Sequence, residues 1–144
     1  MAKDRAAAED EYELDRQVGF LLRRATQRHL AIFATLIPGL TPTQFAALAK
    51  LRELGPVSQN ALGRATAMDA ATIKGVVDRL RAKGLVVSAE DSEDRRRILL
   101  APTTAGRAAF ETARADALRI SAETLAPLAP REREAFLALL ARLG

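Results

Sequence analysis

The chain has 144 residues, enough for one domain with a real core, and 49% of them are hydrophobic. Its 22 Lys and Arg against 18 Asp and Glu give a net charge of +4, which permits an anionic partner without requiring one. With no cysteine and a single histidine, His29, it has no disulfide, no thiolate or histidine-cluster metal site and no cysteine nucleophile.

No metal or cofactor is therefore expected. No apolar run reaches the roughly 18 residues that span a bilayer, and the acidic start lacks a signal-peptide pattern, so the reading is a cytoplasmic protein with no membrane partner. Charge is unevenly placed. Residues 1–15 carry six acids and two bases, the pattern of a solvated arm or frayed helical turn, whereas residues 16–64 carry seven bases and one acid.

From about residue 10 to 36, Leu14, Val18, Leu22, Ala25, Ile32 and Leu36 recur at helical spacing, and Pro38-Gly39 ends the element. Thr41-Pro42 then opens a second helix, with Thr as cap and Pro at the first helical position, which runs to Gly55-Pro56. Ser58 caps a short third helix carrying Ala61, Leu62 and Ala65. Asp69 caps a fourth, in which Ile73, Val76, Val77 and Leu80 mark one apolar face and Gly84 ends the run. Two short apolar runs, Leu85-Val86-Val87 and Ile98-Leu99-Leu100, flank the charged stretch 91–97 and predict a hairpin. Thr103-Thr104 opens a long helix interrupted by Pro127, and a last helix begins near Pro130 with Phe136, Leu137, Leu140 and Leu143. There are no repeats and no low-complexity linker.

The fold class is mostly α. Two short helices across a small turn, followed by a β-hairpin, make a winged helix-turn-helix, with long N- and C-terminal helices on either side. The front of the fourth helix is unusual. Ala70-Ala71-Thr72 is small and uncharged, with Lys74 beside it, where an exposed turn ordinarily carries Glu, Lys or Gln. Tight packing against another helix is one reading. The other is entry into the DNA major groove, about 12 Å wide, where Thr72 can hydrogen-bond a base, Ala70 or Ala71 can touch a thymine methyl, and Lys74 can reach a phosphate or guanine.

With those residues in place, the chain resembles the MarR (multiple antibiotic resistance regulator) family. The resemblance rests on "LTPTQFAALAKLRELGPVSQNALGRAT" (40–66), the helix "AMDAATIKGVVDRLRAKGLV" (67–86) and the wing "DSEDRRRILLAPTTAG" (91–106). It covers essentially the whole chain as one domain. Residues 10–36 and 104–144 correspond to dimerisation helices, and 40–101 to the DNA-binding lobe. Two positions depart from the family pattern: Pro102, where Leu is common, and Gly75, where Arg or another polar residue is frequent.

The resemblance implies that Arg96 enters the minor groove of double-stranded DNA while Asp94 steadies the wing. Arg95 and Arg97 join them as candidate DNA contacts, although a run of charges at a hairpin tip is also what solvation alone produces. Ser58, Gln59 and Asn60 are either phosphate contacts or simply a cap and two solvated residues. Arg79 is a candidate phosphate contact. His29 is either a packed, hydrogen-bonded side chain or part of an effector site with Phe33, Phe45, Arg24 and Arg28. In this family small anionic or aromatic effectors commonly bind between the dimerisation helices and the DNA-binding lobe.

The chain has little to support an enzyme: one His, no Cys, no Gly-rich phosphate loop. The expectation is a homodimeric, sequence-specific transcriptional regulator. It represses from a pseudo-palindromic operator and is released by a small-molecule effector, an aromatic carboxylate or its CoA thioester. The alternative is a structural DNA-coating protein without sequence preference or effector control.

Overall fold

The computed structural model describes residues 11–144. The acidic arm expected at the start lies outside the described residues as far as position 10. A single tight helical turn at Leu14–Arg16 leads into α1 (Val18–Leu36), and α2 (Pro42–Leu54), α3 (Gln59–Ala65) and α4 (Ala70–Ala82) follow. The hairpin β1 (Val86–Glu90) and β2 (Ile98–Pro102) comes next, then α5 (Thr104–Leu125) and α6 (Pro130–Ala141).

The caps set these boundaries. The Thr41 hydroxyl accepts from the Gln44 N–H at 3.2 Å while the Gln44 side-chain oxygen accepts from the Thr41 N–H at 3.3 Å, a reciprocal pair closing the front of α2. Ser58, Asp69 and Thr103 each accept from the backbone N–H three residues on. Gly55 and Gly84 end α2 and the α4 region at positive φ (+74° and +71°), where a Cβ is disfavoured. The turn between α3 and α4 is tighter still: Ala67 lies at φ +54° and the Met68 N–H bonds back to the Gly63 carbonyl at 2.9 Å.

Two differences from expectation have physical causes. α1 begins at Val18 rather than near residue 10, because Gln17 is extended and Leu14, which carried the first apolar beat, stays half exposed with little to pack on. The strands reach further along the chain than the apolar runs that predicted them. The ladder pairs Val86 with Pro102 and Glu90 with Ile98, and Leu85 stays outside it. Its inner edge is extended by Val57, which exchanges backbone hydrogen bonds with Leu100 at 3.1 and 2.7 Å.

One apolar cluster gathers Leu48 and Leu51 of α2, Leu62 of α3, Ile73, Val77 and Leu80 of α4, and Leu100 of the wing, each essentially without exposure. Each such side chain contributes about 1.5–3 kcal/mol on burial, so this cluster is what orients α4 and the hairpin. A second, smaller cluster joins Phe33 of α1 and Ile37 just past its end to Ala113 and Ile120 of α5. Three rings connect the two: Phe45 stacks on Phe110 at 5.3 Å and meets Phe33 edge-on at 6.3 Å. Among the described residues, a further apolar surface stays exposed. Val18, Leu21 and Leu22 of α1 face the same cleft as Phe136, Leu139, Leu140 and Leu143 at the C-terminal end, all substantially exposed, and α6 has no buried residue.

Candidate nucleic-acid interface

α4 packs Ile73, Val76, Val77 and Leu80 inward, and the 3.6-residue period therefore sends Ala71, Gly75 and Asp78 outward. Ala70, Ala71 and Thr72 are exposed at its first turn. The bare turn is therefore not a helix–helix contact within the chain. Asp69 holds the front of the helix, its carboxylate accepting from the Thr72 N–H at 2.7 Å, and that bond keeps the carboxyl below its ordinary range. Lys74 is exposed and paired with Asp78 at 2.7 Å. Arg81 reaches the other oxygen of Asp78 at 3.3 Å and the Ser88 hydroxyl of β1 at 2.7 Å, tying helix to wing. Arg79 is exposed, with its guanidinium lying back toward Gly75.

The wing tip is organised by its acids. The Asp91 and Asp94 carboxylates accept from the N–H groups of Glu93 and Arg96 at 3.1 and 3.0 Å, so each turns the chain two residues on. The Arg97 N–H bonds to the Asp94 carbonyl at 2.9 Å, and the Asp91 N–H to the Arg97 carbonyl at 2.8 Å, closing the loop. Arg96 projects with a side chain 96% exposed, 3.7 Å from Asp94. Arg95 and Arg97 are exposed on either side. α4 and the wing thus present Thr72, Lys74 and Arg79, then Arg95, Arg96 and Arg97, from a scaffold held by one core. At α3, the Ser58 hydroxyl is taken up as the cap; Gln59 is half-buried and Asn60 exposed.

The five residues expected around an effector do not line one site. His29 opens on a cleft of about 360 Å³ with Leu22, Ala25, Thr26, Ser121, Thr124, Leu125, Phe136, Leu137 and Leu140, its Nδ1 2.9 Å from the Thr124 hydroxyl. Phe33 borders a different cleft beside Pro38, Thr41 and Lys83. Phe45 is half-buried and packs its ring between Phe33 and Phe110. Arg28 donates to the Thr124 and Glu123 carbonyls at 2.6 and 2.7 Å, so its charge sits at the C-terminal end of α5, where helix carbonyls attract cations. Arg24 lies exposed over the Phe20 ring at 5.8 Å.

Three contributors escaped the sequence reading. Thr124 receives both His29 and Arg28 from 95 and 96 residues away. Lys83, at the end of α4, donates to the Gly39 carbonyl and to the buried Gln44, both at 3.1 Å, and so joins α4 to the turn after α1. Asp78, the acid between two bases, carried a legible signal in its spacing, four residues from Lys74 and three from Arg81.

The MarR family model matches residues 39–97, from the start of α2 through the wing tip. Over 134 residues the chain is 43% identical to the HTH-type transcriptional repressor NicR of Pseudomonas putida, spanning 92% of this chain and 85% of that one. The chain belongs to the MarR family. The MarR family is one of DNA-binding transcriptional regulators, not enzymes. Solved structures agree over the whole fold. A probable transcriptional regulator from Pseudomonas aeruginosa is 53% identical with a TM-score of 0.89, covering 92% of this chain and all of that one. BpsR of Bordetella bronchiseptica, whose DNA binding is regulated by 6-hydroxynicotinic acid, is 43% identical with a TM-score of 0.88, covering 92% and 96%. Among the described residues of this MarR-family chain, no helix is long and apolar enough to cross a membrane.

Proposed function

We propose that the chain is a homodimeric repressor that grips a pseudo-palindromic operator and is released by a small aromatic carboxylic acid. The observation that carries the DNA half is the small, outward-facing tip of α4 flanked by an arginine wing: it combines a shape that fits the major groove with charges that suit phosphates and a narrow minor groove. The name of the 43% identical NicR supports repression. The uncovered faces of α1 and α6 support a second copy as partner, since exposed apolar surface of this extent marks an interaction site. A two-fold dimer places its recognition helices about 34 Å apart, one turn of DNA.

The effector reading rests on the His29 cleft and on the acid that regulates BpsR. The cleft offers Thr26, His29, Ser121 and Thr124 as polar groups among leucines and Phe136, at a volume suited to a one-ring acid. His29 and Arg28 also join α1 to the end of α5 through Thr124. A ligand competing for Thr124 would loosen that joint and shift the spacing of the two reading heads, by no more than its differential affinity for the two states.

The test is a titration of 6-hydroxynicotinic acid, benzoate and benzoyl-CoA against a preformed protein–DNA complex, read by fluorescence anisotropy. The free hydroxylated acid should dissociate the complex, and His29→Ala should raise the concentration needed at least tenfold, the loss of about 1.4 kcal/mol or more expected when a buried hydrogen bond to a charged ligand is removed. Release unchanged in His29→Ala would place the effector elsewhere, and no release by any of the three would overturn the effector class.

A further inference from the structure

We propose that Asp78 is a specificity determinant of α4: it holds Lys74 and Arg81 back from the phosphates of random DNA and gives them up only where base contacts replace it. The proposal rests on the reading that α4 enters the major groove.

Asp78 is the only acid within α4 and stands on the face opposite the buried stripe, two turns after Ala71. Both of its oxygens are occupied. Lys74 Nζ donates to one at 2.7 Å from the preceding turn, and Arg81 Nη1 lies 3.3 Å from the other on the following turn. Arg81 is further committed to Ser88 of the wing. Two of the three bases of the helix are therefore spoken for by one carboxylate, leaving Arg79 outside the pair. The hydrogen bond from Lys74 holds the Asp78 carboxyl below its ordinary range, so it is ionised wherever DNA binding is measured.

Random DNA offers such a helix mainly phosphates, and binding to it is essentially electrostatic. A carboxylate on the groove-facing side then works against binding twice, by occupying two bases and by repelling the phosphates directly. A cognate site offers more. A guanine edge can take Lys74, and a cytosine amino group can donate to Asp78 itself. Exposed ion pairs are weak, so the exchange opposes operator binding only slightly while the penalty on random DNA remains. Asp78 thus widens the gap between the two instead of strengthening either.

The experiment compares wild-type protein with Asp78→Asn on a duplex enriched by the wild type from a random pool and on its scrambled counterpart. Affinities are measured by anisotropy from about 50 to 200 mM salt, the range over which counterion release is readily seen. Asp78→Asn should bind scrambled DNA about fivefold more tightly, the factor for one unit charge some 4 Å from another in water. Its log affinity should fall about 0.9 more steeply with log salt. Selected DNA should gain less, so the ratio of the two affinities should drop several-fold. Asp78→Glu retains the charge and should recover most of that ratio, which a purely structural role would not predict. Asp78 is exposed, and equal melting of the three proteins checks that the fold is intact. A ratio unchanged or increased in Asp78→Asn overturns the inference while leaving operator recognition standing. A wild-type protein that enriches no sequence overturns both.

Discussion

Replacing Gly106 with alanine strikes the joint on which the interface depends. Gly106 is buried in the first turn of α5, where its N–H meets the Thr103 hydroxyl at 3.0 Å. A Cβ added there would collide with the Leu85 carbonyl oxygen and stand 3.0 Å from the carbonyl carbon, both backbone atoms that cannot rotate away. The same Leu85 carbonyl accepts from the Thr103 N–H at 3.0 Å, and the Thr103 hydroxyl donates to the Gly84 carbonyl at 2.6 Å. The clash therefore falls where the end of α4, the root of the wing and α5 are tied together. Alanine gains about 1 kcal/mol of helix propensity over glycine. Against this, overpacking costs about 1–3 kcal/mol, and losing the Thr103–Leu85 bond costs about 1 kcal/mol more. The balance is a loss of about 2 kcal/mol, which lowers the melting temperature of a chain this size by about 6 °C at fixed protein concentration. Gly75→Ala is the control. Its new Cβ would meet only the mobile end of Arg79 at 3.4 Å, so its stability should hold or rise by up to about 1 kcal/mol. Calorimetry on the three proteins decides the matter. Gly106→Ala melting at or above the wild type, or Gly75→Ala losing as much as Gly106→Ala, would refute the steric argument.

Arg96→Ala should weaken binding to selected DNA and make its log affinity fall about 0.9 less steeply with log salt, because one groove-bound cation is lost. Binding identical to wild type across the salt series would remove the wing from the interface. Asp69 has a lowered folded-state pKa, so its contribution to stability is complete above the ordinary carboxylate pKa and disappears as pH falls through the folded value. In urea titrations across that acid range, Asp69→Asn, which keeps a capping oxygen, should lose less stability than wild type; parallel curves would mean that the Thr72 bond does not hold the charge.

Much of the fold was legible because it is written locally. Thr41-Pro42, Ser58, Asp69 and Thr103 each announced a helix start within four residues, and each caps its helix as that pattern predicts. The wing was legible for the same reason, its charged tip set between two β-rich runs. Leu14 misled because periodicity reports an apolar beat without reporting whether any surface exists to receive it. The expected effector group is spread over the fold for a different reason. His29, Phe33 and Arg28 share α1, but rotation about the helix sends them to a cleft, to another cleft bordering the core and to the end of α5. The partners that distinguish these fates, Thr124 for His29 and Arg28 and Ala113 and Ile120 for Phe33, lie far along the chain. Lys83 was invisible for the same reason: its bonds to Gly39 and Gln44 cross 44 and 39 residues, and no local pattern encodes them.

The central claim is that α4 and the wing read DNA sequence, and the ratio of affinities for selected and scrambled duplexes tests it most directly. Measured for the wild-type protein at about 150 mM salt, where non-specific attraction is already screened, that ratio should be about 10³ or more. A ratio near one would contradict the account.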